Sequence, residues 1–250
     1  MGLKVHMSPE RIEILGVPID CVNMEQSLEV IDEMVQEGKA KTVIAVNPEK
    51  IVKARHDPRL LDLLRSSGLL IPDGIGAVIA AKILSGESVS RVPGSELMPA
   101  ICERSIKKGY KLFLLGAAPE VNEKAVDVLS RTYPGINIVG HQHGYYSEDE
   151  VQSLIESIND SEADILFVAL GSPRQELWME EYLPKLNIKV CQGVGGTFDV
   201  IAGNVKRAPA LFRRIHLEWL YRLLSQPKRM LRQTALPKFV YLVFRQKLFG

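Results

Sequence analysis

The feature of this chain that most constrains its fold is the regular alternation of short apolar runs with helix-like segments. The first helix-like segment begins with Asn23 as N-cap, has Gln26 at the capping-box position and stops at Gly38. The strand-like runs are "RIEILG", "TVIAVN", "GLLIP", "YKLFLLG", "INIVG", "DILFVAL" and "IKVCQGVG". Continuous apolar strands that alternate with helices are typical of a parallel sheet buried on both faces. The sequence therefore predicts an α/β, Rossmann-like fold with a mostly parallel sheet and helices on both faces.

Charge is divided unevenly along the chain. Residues 206–250 hold 11 Lys and Arg against one acid, Glu218, whereas residues 1–205 hold 20 basic and 29 acidic residues. The basic segment consists of three helix-like pieces separated by Pro227 and Pro237. We therefore predict an α/β core at residues 1–205 and a C-terminal helical appendage at residues 206–250. The aromatic residues interleaved with its charges are Trp219, Tyr221, Phe239, Tyr241, Phe244 and Phe249.

A basic, aromatic-rich helical segment fits an anionic membrane surface, and we predict that residues 206–250 bind one. Two alternatives stay open: the helices pack on the core with their charges facing water, or the chain is a membrane- or nucleic-acid-binding module. We expect no nucleic acid as partner, and we leave a homo-oligomer open. No run approaches the roughly 18 apolar residues of a membrane-spanning helix, and no signal peptide is recognisable. Three scattered cysteines without a CxxC pair fit a reducing compartment, so we expect a cytoplasmic, peripheral membrane protein.

Small and polar residues follow most of the predicted strands. Ligands of open α/β sheets bind beyond the carboxyl ends of the strands, and all parallel strands end at one edge. Glycines let a ligand approach the backbone, and unpaired backbone N–H groups there attract phosphate. Several such turns at one edge predict a nucleotide or sugar-nucleotide site. The segments are "VNPE" (46–49), "IPDGIG" (71–76), "LLGAAPE" (114–120), "ALGSPRQE" (169–176) and "GVGGTFD" (193–199).

Asp73 places a single carboxylate where a buried strand ends, in "GLLIPDGIG" (68–76). It either caps the helix that follows or accepts a proton as a general base, and the two roles are compatible. Asn47, Arg91 and Gln175 also lie near strand ends. Each has an ordinary structural interpretation, as a turn or capping residue, a solvated loop residue or a solvent-facing helical residue. Together they predict an edge where a polyol meets hydrogen-bond donors and acceptors.

The sequence argues against several cofactor sites. Phe198 occupies the position in "GVGGTFD" where a dinucleotide fingerprint needs glycine, which disfavours an NAD-dependent oxidoreductase. The chain has no Asp-x-Asp pair, the usual carboxylate ligand of a diphosphate-bound cation. His141 and His143 have no third ligand at a clear spacing, so a polar loop is favoured over a zinc site. We therefore expect no metal and no cofactor.

Several strings of this sequence resemble the WecG/TagA/CpsF family, glycosyltransferase family 26, and its teichoic-acid branch most of all. The resemblance is collinear from about residue 11 to about residue 240. The string from Gly193 to Pro209 is the most specific part of it. The matching strings are "IPDGIG", "RVPGSEL", "LLGAAPE", "HGYY", "VALGSPRQE", "GVGGTFDVIAGNVKRAP" and "EWLYRL" followed by "PKR".

The resemblance implies an inverting glycosyltransferase that uses no metal. Its reaction would move N-acetylmannosamine from UDP-N-acetylmannosamine to undecaprenyl-diphosphate-linked N-acetylglucosamine, in the synthesis of wall teichoic acid. Relatives that use UDP-N-acetylmannosaminuronate or UDP-glucose for other surface polysaccharides are the alternative. The implied partners are thus a UDP-sugar donor and a lipid-linked acceptor at the inner face of the cell membrane.

The resemblance also implies roles for individual residues. Asp73 matches the family's proposed base. The implied substrate-binding residues are Asn47, Arg91, Gln175, Arg222, Arg229 and Arg232, and the implied UDP-binding residues are Tyr145, Gly193, Gly195, Gly196 and Asp199. One departure is Ala45, where family members often carry Thr, so the role of that hydroxyl in acceptor binding is dispensable here or is filled by another group.

Overall fold

The structure is a computed structural model that describes residues 9–205 and 235–249, together with Pro209, Phe212 and Tyr221. Strands and helices alternate through the first of these ranges, as the sequence predicts. The strands are β1 (Arg11–Ile14), β2 (Val17–Asp20), β3 (Lys41–Val46), β4 (Leu69–Pro72), β5 (Lys111–Gly116), β6 (Asn137–Gln142), β7 (Ile165–Ala169) and β8 (Val190–Gly193).

The first helix begins and ends with the sequence signals noted above. Asn23 and Gln26 form its capping box, and its C-cap, Gly38, is left-handed with φ 73°. The helices are α1 (Met24–Glu37), α2 (Pro48–Ala54), α3 (Pro58–Ser66), α4 (Ile75–Leu84), α5 (Gly94–Lys108), α6 (Pro119–Thr132), α7 (Val151–Asp160), α8 (Arg174–Tyr182), α9 (Thr197–Ile201) and α10 (Ala235–Phe249).

Six strands form one parallel sheet in the order β4-β3-β8-β7-β5-β6. Alternating residues of each strand face two hydrophobic clusters, one on each side of the sheet. The helices α2, α3, α4, α7, α8 and α10 contribute to the first cluster, and α1, α5, α6 and α9 contribute to the second. The predicted α/β, Rossmann-like fold with helices on both faces is confirmed.

The run "RIEILG" does not join this sheet. Its residues form β1, which pairs antiparallel with β2 in a separate hairpin, with Ile14 opposite Val17. The two residues between them, Leu15 and Gly16, both have positive φ, 56° and 80°. That conformation matches the right-handed twist of a two-residue hairpin.

The hairpin is attached to the outer side of β4, which is an edge strand of the main sheet. Asp20 is fully buried and accepts hydrogen bonds from the Leu70 backbone N–H at 2.7 Å and from the Arg11 guanidinium at 2.6 and 3.0 Å. The segment before α5 also reaches β4, because the Val92 N–H donates to the Pro72 carbonyl at 2.8 Å. Both contacts fix the end of the strand that leads to Asp73.

A buried carboxylate joins α1 to α5 on the face of the sheet that carries the second cluster. Asp32 accepts hydrogen bonds from Arg104 at 2.8 and 2.9 Å and from the Tyr110 hydroxyl at 2.8 Å. Burial of the carboxyl raises the pKa of Asp32, but the hydrogen bonds from Arg104, Lys108 and Tyr110 outweigh that effect, and the pKa is lowered. Since the folded pKa lies below the unfolded value of about 3.9, the stabilisation is present above that value and is lost as pH falls through the folded pKa.

Changing Asp32 to Asn is expected to lower the free energy of unfolding by about 1–3 kcal/mol at pH 7, because charge-assisted hydrogen bonds are lost. Urea unfolding at a series of pH values checks this, and the difference from the unmodified protein is expected to shrink below about pH 4. Glu25→Gln is the matched control: Glu25 also bonds Arg104, at 2.7 Å, but its side chain is 66% exposed. If the loss in free energy of unfolding stays the same at acidic pH, it does not come from the charge of the Asp32 carboxylate.

Candidate active site

All six strands of the sheet end at one rim, where the chain leaves β8 toward one face and the two neighbours of β8 toward the other. After β8 it continues into α9 on the second face, whereas after its neighbours β3 and β7 it continues into α2 and α8 on the first face. Such divergence opens a crevice between adjacent strand ends, the usual ligand position in open α/β sheets. We therefore expect a ligand to bind beside the end of β8.

The turns at this rim adopt left-handed backbone conformations. Gly74 (φ 91°) follows β4, Gly171 (φ 76°) follows β7 and Gly195 (φ 55°) follows β8. At the end of β5, Gly116 has φ 121°, and a Cβ there would lie 2.5 Å from the Ala169 carbonyl group, so only glycine fits. The predicted concentration of tight, glycine-dependent turns at one rim is thus present.

Backbone pairing brings the predicted base close to two predicted substrate-binding residues. The Asp73 N–H donates to the Val46 carbonyl at 3.0 Å, so Asp73 lies beside Asn47. On its other side, the bond from Val92 to Pro72 holds Arg91 next to the same strand end. Asp73, Asn47 and Arg91 therefore share one corner of the rim, although they are far apart in sequence.

Asp73 does not occupy the cap position of the following helix. Helix α4 begins at Ile75, and its N-cap residue is Gly74, with φ 91°. Asn47, in contrast, is the N-cap of α2, and its Oδ1 accepts a hydrogen bond from the Lys50 N–H at 2.9 Å. The capping interpretation thus holds for Asn47 but not for Asp73, whose partly buried carboxylate lies before the helix.

The glycine turn after β8, residues 194–196, is held by side chains and backbone of the core. The Val194 N–H donates to the Val168 carbonyl at 2.9 Å, and the Gly195 N–H donates to Oε1 of Gln175 at 3.0 Å. Gly193 has no room for a side chain, because a Cβ there would lie 2.6 Å from Nε2 of Gln175. Gly196 is exposed at the tip of the turn.

Gln175 does not face solvent, as its ordinary structural interpretation required. Only 4% of it is exposed, and its amide bridges the glycine turn to Glu176, whose Oε1 accepts from Gln175 Nε2 at 3.1 Å. Glu176 in turn forms a buried ion pair with Lys50, with 2.6 Å between Nζ and Oε1. This pair was not predicted from the sequence. The available signal was that Lys50 and Glu176 have opposite charges and that each lies in the first turn of a helix that follows a strand.

The other predicted UDP-binding residues lie on either side of this region. Asp199 is in α9, and its carbonyl accepts from the N–H groups of Asn204 and Val205 at 2.9 and 3.1 Å. Tyr145 is 73% exposed. Its loop is held above the ends of β5 and β7 by the bond from Gly144 N–H to the Ala117 carbonyl, 2.8 Å, and by the Arg174 guanidinium, 3.0 Å from the Gly144 carbonyl. Tyr145 is therefore at the same rim, but over strands other than β8.

The corner that holds Asp73 and the glycine turn after β8 are close enough to bind one ligand together. Only β3 lies between β4 and β8, so two inter-strand spacings, about 10 Å, separate the ends of these strands across the sheet, and β4 pairs further along β3, up to Val46, than β8 does. A nucleotide-sugar is of comparable length.

The sequence pattern described as "Glycosyl transferase WecG/TagA/CpsF family" matches residues 12–250 of this chain.

The chain belongs to the WecG/TagA/CpsF family.

A curated relative supports this assignment. The N-acetylglucosaminyldiphosphoundecaprenol N-acetyl-beta-D-mannosaminyltransferase of Bacillus spizizenii (strain ATCC 23059 / NRRL B-14472 / W23) is 36% identical over 211 residues, which cover 84% of this chain and 81% of that protein. The family resemblance read from the sequence is confirmed, and this WecG/TagA/CpsF protein is a glycosyltransferase. An enzyme is thereby favoured over a module that only binds membrane or nucleic acid.

Helix α10, the last described helix of this family member, lies beside the corner of the rim that holds Asp73, Asn47 and Arg91. Helix α10 packs against α2 and α4, with Phe239 and Val243 buried. Gly76 in α4 is the point of close contact, since a Cβ there would lie 2.8 Å from Pro48 and 3.9 Å from Phe239. No helix in the described part of the chain is long and apolar enough to cross a membrane. The exposed apolar residues of α10 are Val240, Tyr241, Phe244, Leu248 and Phe249.

Three predicted substrate-binding arginines, Arg222, Arg229 and Arg232, lie outside the described residues, so their position relative to the rim stays a prediction. Within residues 9–205 and 235–249, no three His, Cys, Asp or Glu side chains are grouped closely enough to hold a metal ion. His141 instead places Nδ1 2.8 Å from Oδ1 of the buried Asn122.

Proposed function

We propose that this enzyme transfers N-acetylmannosamine from UDP-N-acetylmannosamine to undecaprenyl-diphosphate-linked N-acetylglucosamine, with inversion and without a metal. The observation that carries the proposal is that Asp73, Asn47 and the glycine turn share one rim, at the ends of β4, β3 and β8, which are neighbours in the sheet. The name of the relative with 36% identity supports the choice of sugar and acceptor.

In the proposed reaction Asp73 is the general base. A hydroxyl oxygen of the acceptor sugar attacks the anomeric carbon of the donor, and its proton passes to the Asp73 carboxylate. The bond from the anomeric carbon to the diphosphate breaks, and UDP leaves with the electron pair. Attack on the face opposite the leaving group inverts the configuration. Asn47, Arg91 and Gln175 are assigned to substrate binding around this centre.

The departing diphosphate gains negative charge, which preorganised donors at the site would stabilise. The exposed Gly196 N–H has no hydrogen-bond partner among the described residues, and it is available for this purpose. Guanidinium groups bind phosphate oxygens through two parallel hydrogen bonds, the role assigned to Arg222, Arg229 and Arg232. Tyr145, Asp199 and the glycine turn hold the nucleotide.

The lipid-linked acceptor places the reaction at the cytoplasmic face of the cell membrane. Residues 206–250 form the appendage that contacts this surface, and residues 1–205 form the catalytic core. The described part of the appendage supports this role, because α10 presents an exposed apolar face beside Lys238, Arg245 and Lys247. Aromatic and basic residues in this mixture are typical of interfacial helices on anionic lipid.

A donor screen tests the proposal. The full chain is incubated with a short-chain diphospholipid bearing N-acetylglucosamine and one of several UDP-sugars, and UDP release is measured. We expect UDP-N-acetylmannosamine to give at least about 100-fold higher kcat/KM than UDP-N-acetylglucosamine, no effect of EDTA, and a β-linked product by NMR. Preference for UDP-N-acetylmannosaminuronate or UDP-glucose would establish the alternative donors, and loss of activity in EDTA would reject the metal-free mechanism.

A further inference from the structure

We propose that Lys50 and Glu176 are positioning residues, which fix the glycine turn through Gln175 and connect it to the corner that holds Asn47. The proposal deepens the proposed transfer reaction and rests on it. It concerns two side chains that do not reach the rim themselves, since their exposed fractions are 7% and 1%.

A continuous chain of hydrogen bonds links the two halves of the site. The Lys50 backbone N–H donates to Oδ1 of the N-cap residue Asn47 at 2.9 Å, and its side-chain ammonium donates to Oε1 of Glu176 at 2.6 Å. The same Oε1 accepts from Gln175 at 3.1 Å, and Oε1 of Gln175 accepts from the Gly195 N–H at 3.0 Å. Lys50, at the start of α2, thus bonds Asn47 through its backbone N–H and is connected to the glycine turn through Glu176 and Gln175.

The charge of Glu176 determines which way the Gln175 amide points. An ionised carboxylate only accepts hydrogen bonds, so it selects the NH₂ group of Gln175 and leaves the amide oxygen for the Gly195 N–H. An ammonium group only donates, so Lys50 takes a carboxylate oxygen of Glu176 as its acceptor. A neutral amide at residue 176 can donate or accept, and the Gln175 amide then loses its preferred orientation.

The Gly195 contact matters because it anchors the peptide that precedes the exposed Gly196 N–H. Gly195 is left-handed with φ 55°, a conformation in which the chain reverses sharply. Holding the Gly195 N–H toward Gln175 also sets the direction of the Gly196 N–H. The Gly196 N–H is the donor assigned to the departing UDP. The buried pair therefore preorganises a donor for transition-state charge without touching the substrate.

Stability alone is a poor reason for this ion pair. Buried ion pairs are commonly no more stabilising than apolar side chains of similar volume, because two charges lose their hydration. Oε2 of Glu176 is also buried, and it has no hydrogen-bond partner among the residues that the structure describes. One carboxylate oxygen of the pair lacks a hydrogen bond there, and the pair is linked through Gln175 to the glycine turn. Its effect on the site therefore explains the pair better than a gain in stability does.

The test compares UDP affinity, measured by calorimetry, with the melting temperature for variants of the full chain. Glu176→Gln is expected to weaken UDP binding about 10- to 100-fold and to lower kcat, since one charge-selected hydrogen bond is lost. It also leaves Lys50 buried without a counter-ion and lowers the melting temperature. The double variant Lys50→Met/Glu176→Gln removes that charge, so its melting temperature should recover while its UDP affinity stays low.

Two further variants make the result unambiguous. Gln175→Met keeps the ion pair and removes the amide, and the loss of UDP affinity in Glu176→Gln and in the double variant should not exceed the loss in Gln175→Met, because the pair acts through this amide. Glu180→Gln breaks the neighbouring exposed pair with Arg59, 2.9 Å long, and should change UDP affinity less than twofold.

UDP affinity that recovers together with the melting temperature in the double variant would reduce the pair to a purely structural role. Normal affinity in every variant would overturn the proposal as well. Failure of the proposed function is distinct from both outcomes: the unmodified chain itself would then not bind UDP or not transfer the sugar.

Discussion

Replacing Asp73 by Asn is expected to lower kcat by at least about 100-fold, the usual contribution of a positioned general base. Asn has the same shape but accepts no proton at neutral pH, and Asp73 is not the cap residue of α4, so the helix should be retained. UDP affinity should change less than twofold, because Asp73 follows β4 whereas the glycine turn follows β8, and β3 lies between these strands. Initial rates with saturating donor and lipid-linked acceptor, together with calorimetry of UDP, measure both quantities.

Asp57→Asn is the matched control for this change. Asp57 caps α3 through a 3.2 Å bond from the Leu60 N–H, and Asn caps a helix as well as Asp does. Its turnover should equal that of the unmodified enzyme. If Asp73→Asn keeps its turnover while folding normally, another group accepts the proton and Asp73 only helps to bind the acceptor.

A chain that ends at Val205 is expected to bind UDP but to lose at least about 100-fold in transfer to the lipid-linked acceptor. The lost segment carries Arg222, Arg229 and Arg232, and the removal of a single charge-stabilising donor already lowers kcat by about 10²–10³. It also removes Phe239 and Val243 from their contact with α2 and α4, so the melting temperature should fall. UDP release with the diphospholipid acceptor and binding to anionic vesicles are the two measurements.

The triple change Arg222→Gln/Arg229→Gln/Arg232→Gln in the full chain separates charge from packing. It keeps α10 and should reproduce most of the loss in transfer without the fall in melting temperature. Arg245→Gln/Lys247→Gln, near the exposed end of α10, is the control and should change turnover in detergent less than twofold. Full activity of the shortened chain on the lipid acceptor would remove the appendage from the mechanism.

The layers of the fold follow from local sequence signals, but the order of its strands does not. Apolar runs and helix caps such as Asn23 are read within a few residues, and parallel strands necessarily end at one edge. This is why Asn47 and Asp73 could be placed at a common rim. That β8 lies between β3 and β7 depends on pairing between distant segments, which periodicity does not encode.

Two errors have specific physical causes. The hairpin of β1 and β2 was missed because its turn uses Leu15 at φ 56°, where Asn, Asp or Gly is the usual signal. The ordinary structural interpretation of Gln175 as a solvent-facing residue fails, although an amide in a first helical turn usually faces solvent. The burial of Gln175 depends on Gly193, which leaves space for it, and on the distant Lys50, which pairs with its neighbour.

The edge position of β4 would ordinarily expose unpaired backbone groups to other protein molecules. Here the outward N–H of Leu70 is bound by the Asp20 carboxylate, Pro72 has no N–H, and the Pro72 carbonyl accepts from Val92. These features obstruct strand addition along the segment that leads to Asp73, the proposed general base. A concentrated solution therefore should not drive aggregation of the enzyme through this edge.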